Sequence, residues 1–360
     1  MRIHSLQGLR AVCISFVVLS HLSGTQNFPR SHVLEIYGNL GVRIFLVVSG
    51  YLITAQLLKE YGRIGSIALR TFYARRAFRI FPAAYVFMIV AIVTHWTVLS
   101  GGNMLTALTY TVNYYQHGDH VLGHLWSLGV EEQFYLIWPL CLLLFYRSRL
   151  WIVAAVIAAA PPLRILFWLV WGTAGLNHPF PVFMDALAMG SAMSILEPQL
   201  GRFQRAFASR WFLVVPGLTV LLPLIQLWDT RAYQVVGLSA LHLGIALSLK
   251  HVMLRRYALL NIRPMMWLGA ISYSLYLWQQ LFLNRGSSGL WTAFPLNLVL
   301  SILLATASYH LIEQPFLKLR ERWTRGRRPH LVGGAASGLP PAIGSLAVIE
   351  VGSPTRSAAG

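Results

Sequence analysis

Two adjacent carboxylates, Glu131 and Glu132, stand inside HLWSLGVEEQFYLIWP (residues 124–139), a stretch otherwise suited to a bilayer. A charged side chain at the centre of a membrane helix costs roughly 2.5–3.5 kcal/mol, so each must face a partner, a cavity or a substrate. Helical spacing sets Glu131 on the side of Phe134, Tyr135 and Trp138, with Glu132 turned about 100° away. The first apolar segment carries Arg10 and His21, with ten residues between them. Eleven helical steps come to about 1,100°, three turns and a small remainder, so the pair shares one face about 16 Å apart along the axis. Imidazole suits proton transfer near neutral pH, although a lone intramembrane His also serves as a helix–helix hydrogen-bond partner. In RRAFRIFP, Arg76 and Arg79 are three residues apart and project to one side. They read either as a guanidinium fork for phosphates or carboxylates or as positive flanking charge.

The elements that position these residues are membrane helices. The 360 residues are 56% hydrophobic and 11% charged, with mean hydropathy +0.59, whereas soluble domains carry about 25% charged residues. The net charge of +18 would point to nucleic acid in a soluble chain. Here the basic residues sit in short loops between apolar segments, so no nucleic-acid partner is expected. Cys13 and Cys141 fall in apolar segments and imply no disulfide framework. Residues 1–23 lack a small-residue cleavage site and read as a retained first helix.

Apolar segments at about 5–23, 38–58, 80–100, 127–146, 150–171, 181–197, 211–228, 233–249, 265–284 and 292–312 predict an all-α integral membrane protein of about ten transmembrane helices. Residues 103–116 are apolar but short, as in a re-entrant or interfacial piece. The loops on one side hold Lys59, Arg63, Arg70 and Arg75; Arg147 and Arg149; Arg202, Arg205 and Arg210; Lys250, Arg255, Arg256 and Arg263; and a flank from Lys318 to Arg328, with Arg2 before the first helix. The opposite loops hold only Arg30, Arg231 and Arg285. By the positive-inside rule both termini are cytoplasmic, and the chain is a multi-pass protein of the inner (plasma) membrane. The domain reading is a transmembrane unit over 1–320, then a basic cytoplasmic flank and disordered tail over 321–360, rich in Gly, Ala, Ser and Pro past residue 328.

Other polar intrusions are Arg43, Arg164, Asp185 and Glu313; Glu313 can pair with the basic flank. Ser49 and Gly50 permit close helix approach, and no G-x-S-x-G context makes Ser49 a nucleophile. His95, His117, His120 and His124 match no standard ligand spacing, so no metal is expected. Trp126 reads as an interfacial anchor.

Six motifs in order make the chain resemble the acyltransferase-3 family, membrane proteins that O-acylate sugars and related hydroxyl compounds. They are Arg10 with His21, GVRIFLVVSGYLIT (41–54), RRAFRIFP (75–82), HLWSLGVEEQFYLIWPL (124–140), ISYSLYLW (271–278) and IEQPF (312–316). The resemblance runs to about residue 320. It implies an acyl-CoA donor, commonly acetyl-CoA, taken from the cytoplasm, and an acceptor often across the membrane: surface polysaccharide, nodulation oligosaccharide or macrolide. It also implies functional roles for Arg10 and His21, for Arg76 and Arg79, and for Glu131 and Glu132. Two positions depart from the family pattern: Gln279 where a His is common after SYSLYLW, and Phe183 where an Arg is common two residues before Asp185. The 360 residues contain no hydrolase-like GDS domain, so the helical part is expected to act alone or with a partner protein.

The chemistry expected is acyl transfer from a thioester to a hydroxyl of a carbohydrate or related acceptor, with no permanently bound cofactor. His21 is the candidate base, and Glu131, then Glu132, the candidate carboxylate to orient it. Arg10, Arg76 and Arg79 are expected to hold the CoA phosphates. Competing readings are a transporter using the buried His, Glu and Arg as a path, though the inverted repeats common in transporters are absent, and a sensing protein that lost catalysis. Loops 96–126 and 172–180 are expected to shape acceptor choice, with Tyr110, Tyr114 and Tyr115 as candidates to stack on a sugar ring.

Overall fold

The computed structural model describes residues 4–115, 120–172, 179–255 and 257–325. Arg2, His117, Arg256, Arg327, Arg328, most of loop 172–180 and the tail past residue 328 lie outside the described residues. Those described are helical, with no strand. The main helices are α1 (His4–Leu22), α2 (His32–Ile64), α3 (Leu69–Thr94), α4 (Gly101–Leu108), α5 (Trp126–Leu144) and α6 (Arg149–Trp171). They continue with α7 (Phe180–Ile195), α8 (Val214–Leu221), α9 (Leu238–Arg255), α10 (Arg263–Trp278), α11 (Leu296–Ser308) and α12 (Gln314–Arg325).

Among the described residues, 7 helices are long and apolar enough to cross a membrane, or up to 8 if Phe180–Ile195 and Glu197–Ala208, bent by 63°, count as one span. The chain is therefore a helical membrane protein. The expected α5 and α10 spans fall outside that set for physical reasons. α5 carries Glu131, Glu132 and Gln133 within 19 residues, and α10 has 16 residues before a tighter turn, Gln279–Leu281, continues it. The segment expected at 211–228 is one of the seven, Arg210–Leu227, though it is not α-helical throughout. Short α8 is flanked by tighter turns at Arg210–Leu213 and Leu222–Leu227, the second opening on Pro223. The short piece expected at 103–116 is α4 followed by a single turn, Val112–Tyr114.

Close helix crossings hold the bundle together. α2 packs against α1 and α7, and α1 packs against α10. A Cβ on Gly50 would meet the Leu187 carbonyl oxygen at 2.0 Å, and one on Gly190 would meet that of Val47 at the same distance. This reciprocal glycine contact lets the α2 and α7 backbones touch, the use small residues serve in membrane bundles. Between α11 and α12 the chain widens into a π-turn, Tyr309–Glu313. The extra residue in such a turn redirects the side chains around it, and here it presents Glu313 inward, where it is 7% exposed.

Candidate active site

The residues singled out by chemistry separate into two groups at opposite ends of α1. The Arg10 end gathers α1, α2, α3, α5, α10 and the π-turn. Arg10 has Arg79, Glu313 and Glu131 as electrostatic neighbours. Glu131 faces the Ser49 hydroxyl and is ringed by Arg76, Arg10 and Arg79. Ser49 Oγ and Tyr135 OH are 2.6 Å apart, so the α2 hydroxyl is tied to the same helix that carries the glutamates. Arg76 donates to Gln56 Oε1 at 3.5 Å and its guanidinium lies 5.2 Å from the Tyr135 ring centroid. Glu132 neighbours Arg76 and Glu131, and its Oε1 is buried with no hydrogen-bond partner. Glu313 accepts a hydrogen bond from Ser274 and faces Arg79 and Arg10. Three arginines and three carboxylates thus share a half-buried pole, in which Glu313 is the buried member. Arg76 and Arg79 come from one side of α3, as their spacing requires.

The third residue of EEQ has a different task. Gln133 Nε2 donates to the Tyr110 carbonyl at 3.1 Å and to Asn113 Oδ1 at 2.9 Å, and its Oε1 accepts from Asn113 at 3.2 Å. It locks α5 onto the turn after α4, where Tyr110 adopts φ +57°, a strained conformation for a residue with a side chain. Tyr110 is buried against Phe81 and Tyr85, ring centroids 5.7 and 6.0 Å away, so its faces are occupied by protein. Tyr114 is 56% exposed.

The His21 end has other neighbours. His21 faces Gln279, His120 and Arg285, and its Nδ1 is buried without a hydrogen-bond partner. Glu131 is not among them, and no described ion pair or hydrogen bond joins His21 to a carboxylate. The expected Glu131–His21 pair is therefore not formed: α5 brings Glu131 to the level of Arg10, toward the other end of α1. Arg285 donates to the Ser20 carbonyl at 2.7 Å and pairs with Glu35 at 3.0 Å. This ties the loop after α10 to α1 and α2. His120 Nε2 lies 3.0 Å from the Leu283 carbonyl. His124 is buried beside Phe87 and Tyr276, ring centroids 5.4 and 5.2 Å away, and the Tyr276 hydroxyl donates to its carbonyl. Trp126, expected at the interface, is buried instead, 5.0 Å from the Phe183 ring. Among the described residues no group of three or more His, Cys, Asp or Glu is arranged to hold a metal.

A third ionic centre unites intrusions that spacing alone left unconnected. Arg164 and Asp185 pair at 2.5 Å with neither side chain exposed. Ser239 donates to Asp185 Oδ2 at 2.7 Å, and His242 Nδ1 lies 3.0 Å from Oδ1. Arg164 also donates to the Val182 carbonyl at 2.9 and 2.8 Å through two nitrogens. Arg43 borders the centre, its guanidinium 5.1 Å from the Phe183 ring. The position that departs from the family's Arg is thus occupied by an aromatic ring under an Arg from another helix. His242 was missed by sequence reasoning. Its only signal was a polar residue inside an apolar helix, which calls for a partner without naming it.

A profile for the family described as Acyltransferase domain matches residues 3–310. The chain belongs to that family, acyltransferase-3. It is similar to a protein named peptidoglycan O-acetyltransferase OatA from Listeria monocytogenes (serovar 1/2a), 26% identical over 87% of this chain and 56% of that protein. It is similar also to O-acetyltransferase OatA from Staphylococcus aureus (strain NCTC 8325), 26% identical over 87% of this chain and 57% of that one. The chain spans little more than half the length of these relatives. No solved structure matches it.

Proposed function

We propose that the chain transfers an acyl group, acetyl in the first instance, from acyl-CoA to a hydroxyl of a carbohydrate, across a membrane it spans with both termini cytoplasmic. The observation that carries this reading is the polarity of α1. Arg10 neighbours Arg79, which in turn neighbours Arg76, and His21 stands on the same face of α1 about 16 Å from Arg10. An extended donor with its phosphates on the arginines would lay its thioester end toward the imidazole. The curated relatives, named as O-acetyltransferases, one of them of peptidoglycan, favour a glycan acceptor.

In this mechanism His21 takes the proton of the acceptor hydroxyl as its oxygen attacks the thioester carbonyl carbon. The C–S bond breaks, and the proton passes from the imidazolium to the leaving thiolate, giving ester and free CoA. Arg10, Arg76 and Arg79 bind the donor phosphates through charge-assisted hydrogen bonds. Glu131, with Ser49 beside it, and Glu132 and Glu313 set the arginine positions. The test is radiolabelled acetyl-CoA supplied to membranes containing the chain. Label should enter envelope glycan and be lost in His21→Ala, with membrane insertion unchanged. Retained transfer in His21→Ala overturns the assignment. Accumulation of a solute inside proteoliposomes without acyl transfer would instead favour a transporter.

A further inference from the structure

His21 needs an orienting partner, and the expected carboxylate is elsewhere. A base in acyl transfer works only in one tautomer: the nitrogen facing the hydroxyl must carry a lone pair, so the other must carry hydrogen and donate it. Among the described residues the charged or titratable groups around His21 are His120, His124 and Arg285, and none of these is an anion. Glu35, the acid at that end of α2, is engaged by Arg30 at 3.2 Å and Arg285 at 3.0 Å.

Among the described residues Gln279 is the remaining polar side chain that bears on His21. It opens the tight turn that continues α10 and is 0% exposed. Both its amide nitrogen and its amide oxygen are buried without a hydrogen-bond partner, as is His21 Nδ1. The two groups fall short of a formed hydrogen bond in this conformation. A fully buried amide with neither end satisfied is rare in folded proteins and calls for an explanation. A hydrogen bond between the two would satisfy one end of Gln279 and the orphaned ring nitrogen together.

Resting on the acyltransferase reading above, we infer that Gln279 is the positioning residue of His21: its amide oxygen accepts from Nδ1–H and leaves Nε2 as the basic nitrogen. The amide fixes the tautomer without a negative charge. The imidazolium formed during transfer is therefore held less firmly than a carboxylate would hold it, which favours passing the proton on to the thiolate. The chain's departure from the family's common His at this position then changes the chemistry of the partner and keeps its place.

The experiment uses the full chain in membranes, with radiolabelled acetyl-CoA and envelope glycan. Gln279→Leu keeps the volume and removes both polar ends. It should lower kcat about 10²-fold, the order expected when a catalytic group loses its orientation. The KM for acetyl-CoA should stay unchanged and the thermal midpoint should not fall. Gln279→Glu should recover part of kcat and move the acid limb of the rate profile upward by about one pH unit or more. The sign follows because a neighbouring carboxylate favours the charged imidazolium, so the basic form appears only at higher pH. Wild-type kcat in Gln279→Leu, a kcat loss that appears only together with a lowered thermal midpoint, or an unmoved profile in Gln279→Glu overturns the inference. If wild-type membranes transfer no label, the functional reading itself fails. If His21→Ala is inactive while Gln279→Leu is fully active, only the positioning role fails.

Discussion

Asp185→Asn is the substitution whose consequence the structure specifies most fully. The carboxylate is 0% exposed and is met by Arg164 at 2.5 Å, Ser239 at 2.7 Å and His242 at 3.0 Å. Asn keeps the shape and one acceptor but removes the only negative charge among these four side chains, with Arg43 close by. Arg164 retains the Val182 carbonyl, which satisfies N–H groups without neutralising a charge. Removing one partner of a buried pair costs about 3–5 kcal/mol, against a typical total stability of roughly 5–15 kcal/mol. Thermal unfolding of the detergent-solubilised protein, read as the fraction remaining monodisperse on size exclusion, should show a large loss for Asp185→Asn. Arg164→Leu combined with Asp185→Leu should recover much of it, because apolar replacement of a whole buried pair is often neutral or stabilising. An Asp185→Asn protein as stable as wild type would refute the claim that this carboxylate neutralises the buried arginines. A double variant that regains stability but not acyl transfer would show that the centre also serves the reaction.

Two further outcomes follow from the geometry. Arg76→Ala and Arg79→Ala should each raise the KM for acetyl-CoA by about 10-fold or more, the value of one hydrogen bond to a charged group, with a smaller change in kcat. An effect on kcat alone in donor titrations would remove them from phosphate binding. Gly50→Val should prevent assembly of the bundle, because its Cβ would sit 2.0 Å from the Leu187 carbonyl oxygen on α7, and Gly190→Val should do the same from the other side. Wild-type thermal stability in either variant would contradict the crossing.

The sequence exposed the residues with chemistry because a bilayer makes each polar intrusion costly, and it exposed helicity through apolar length. The shared face of Arg10 and His21 and the projection of Arg76 with Arg79 were readable because both are properties of one helix. Relations between helices were not. Glu131 could be placed on a face of α5, but which level of α1 that face meets depends on how the two helices lie against each other. Trp126 looked interfacial because it opens a helix; Phe183, distant in sequence, is what buries it. The Asp185 centre needs α6, α7 and α9 in register, and no local pattern encodes that. Glu313 reaches Arg10 through a π-turn, a local widening that spacing based on an α-helix does not anticipate.

The charge balance at the Arg10 pole bears on how the proposed donor could be bound at all. Three arginines in an apolar bundle would repel one another and lose hydration without compensation. Glu131, Glu132 and Glu313 supply it, so the cluster stays folded with protein groups alone. A phosphate entering the pole must then compete with carboxylates already in place. The compensation is uneven, which makes competition feasible. Glu313 is held by Ser274 and Glu131 has Ser49 beside it, so each keeps a hydroxyl partner when an arginine turns to a phosphate. Glu132 Oε1 has no hydrogen bond to lose. Arg76 is held by one long hydrogen bond to Gln56 and by the rings of Phe72 and Tyr135, whereas no side-chain hydrogen bond or ion pair is described for Arg10 or Arg79. Turning onto a phosphate breaks no described side-chain contact of Arg10 or Arg79, so of the three alanine variants Arg76→Ala should disturb the unliganded fold most.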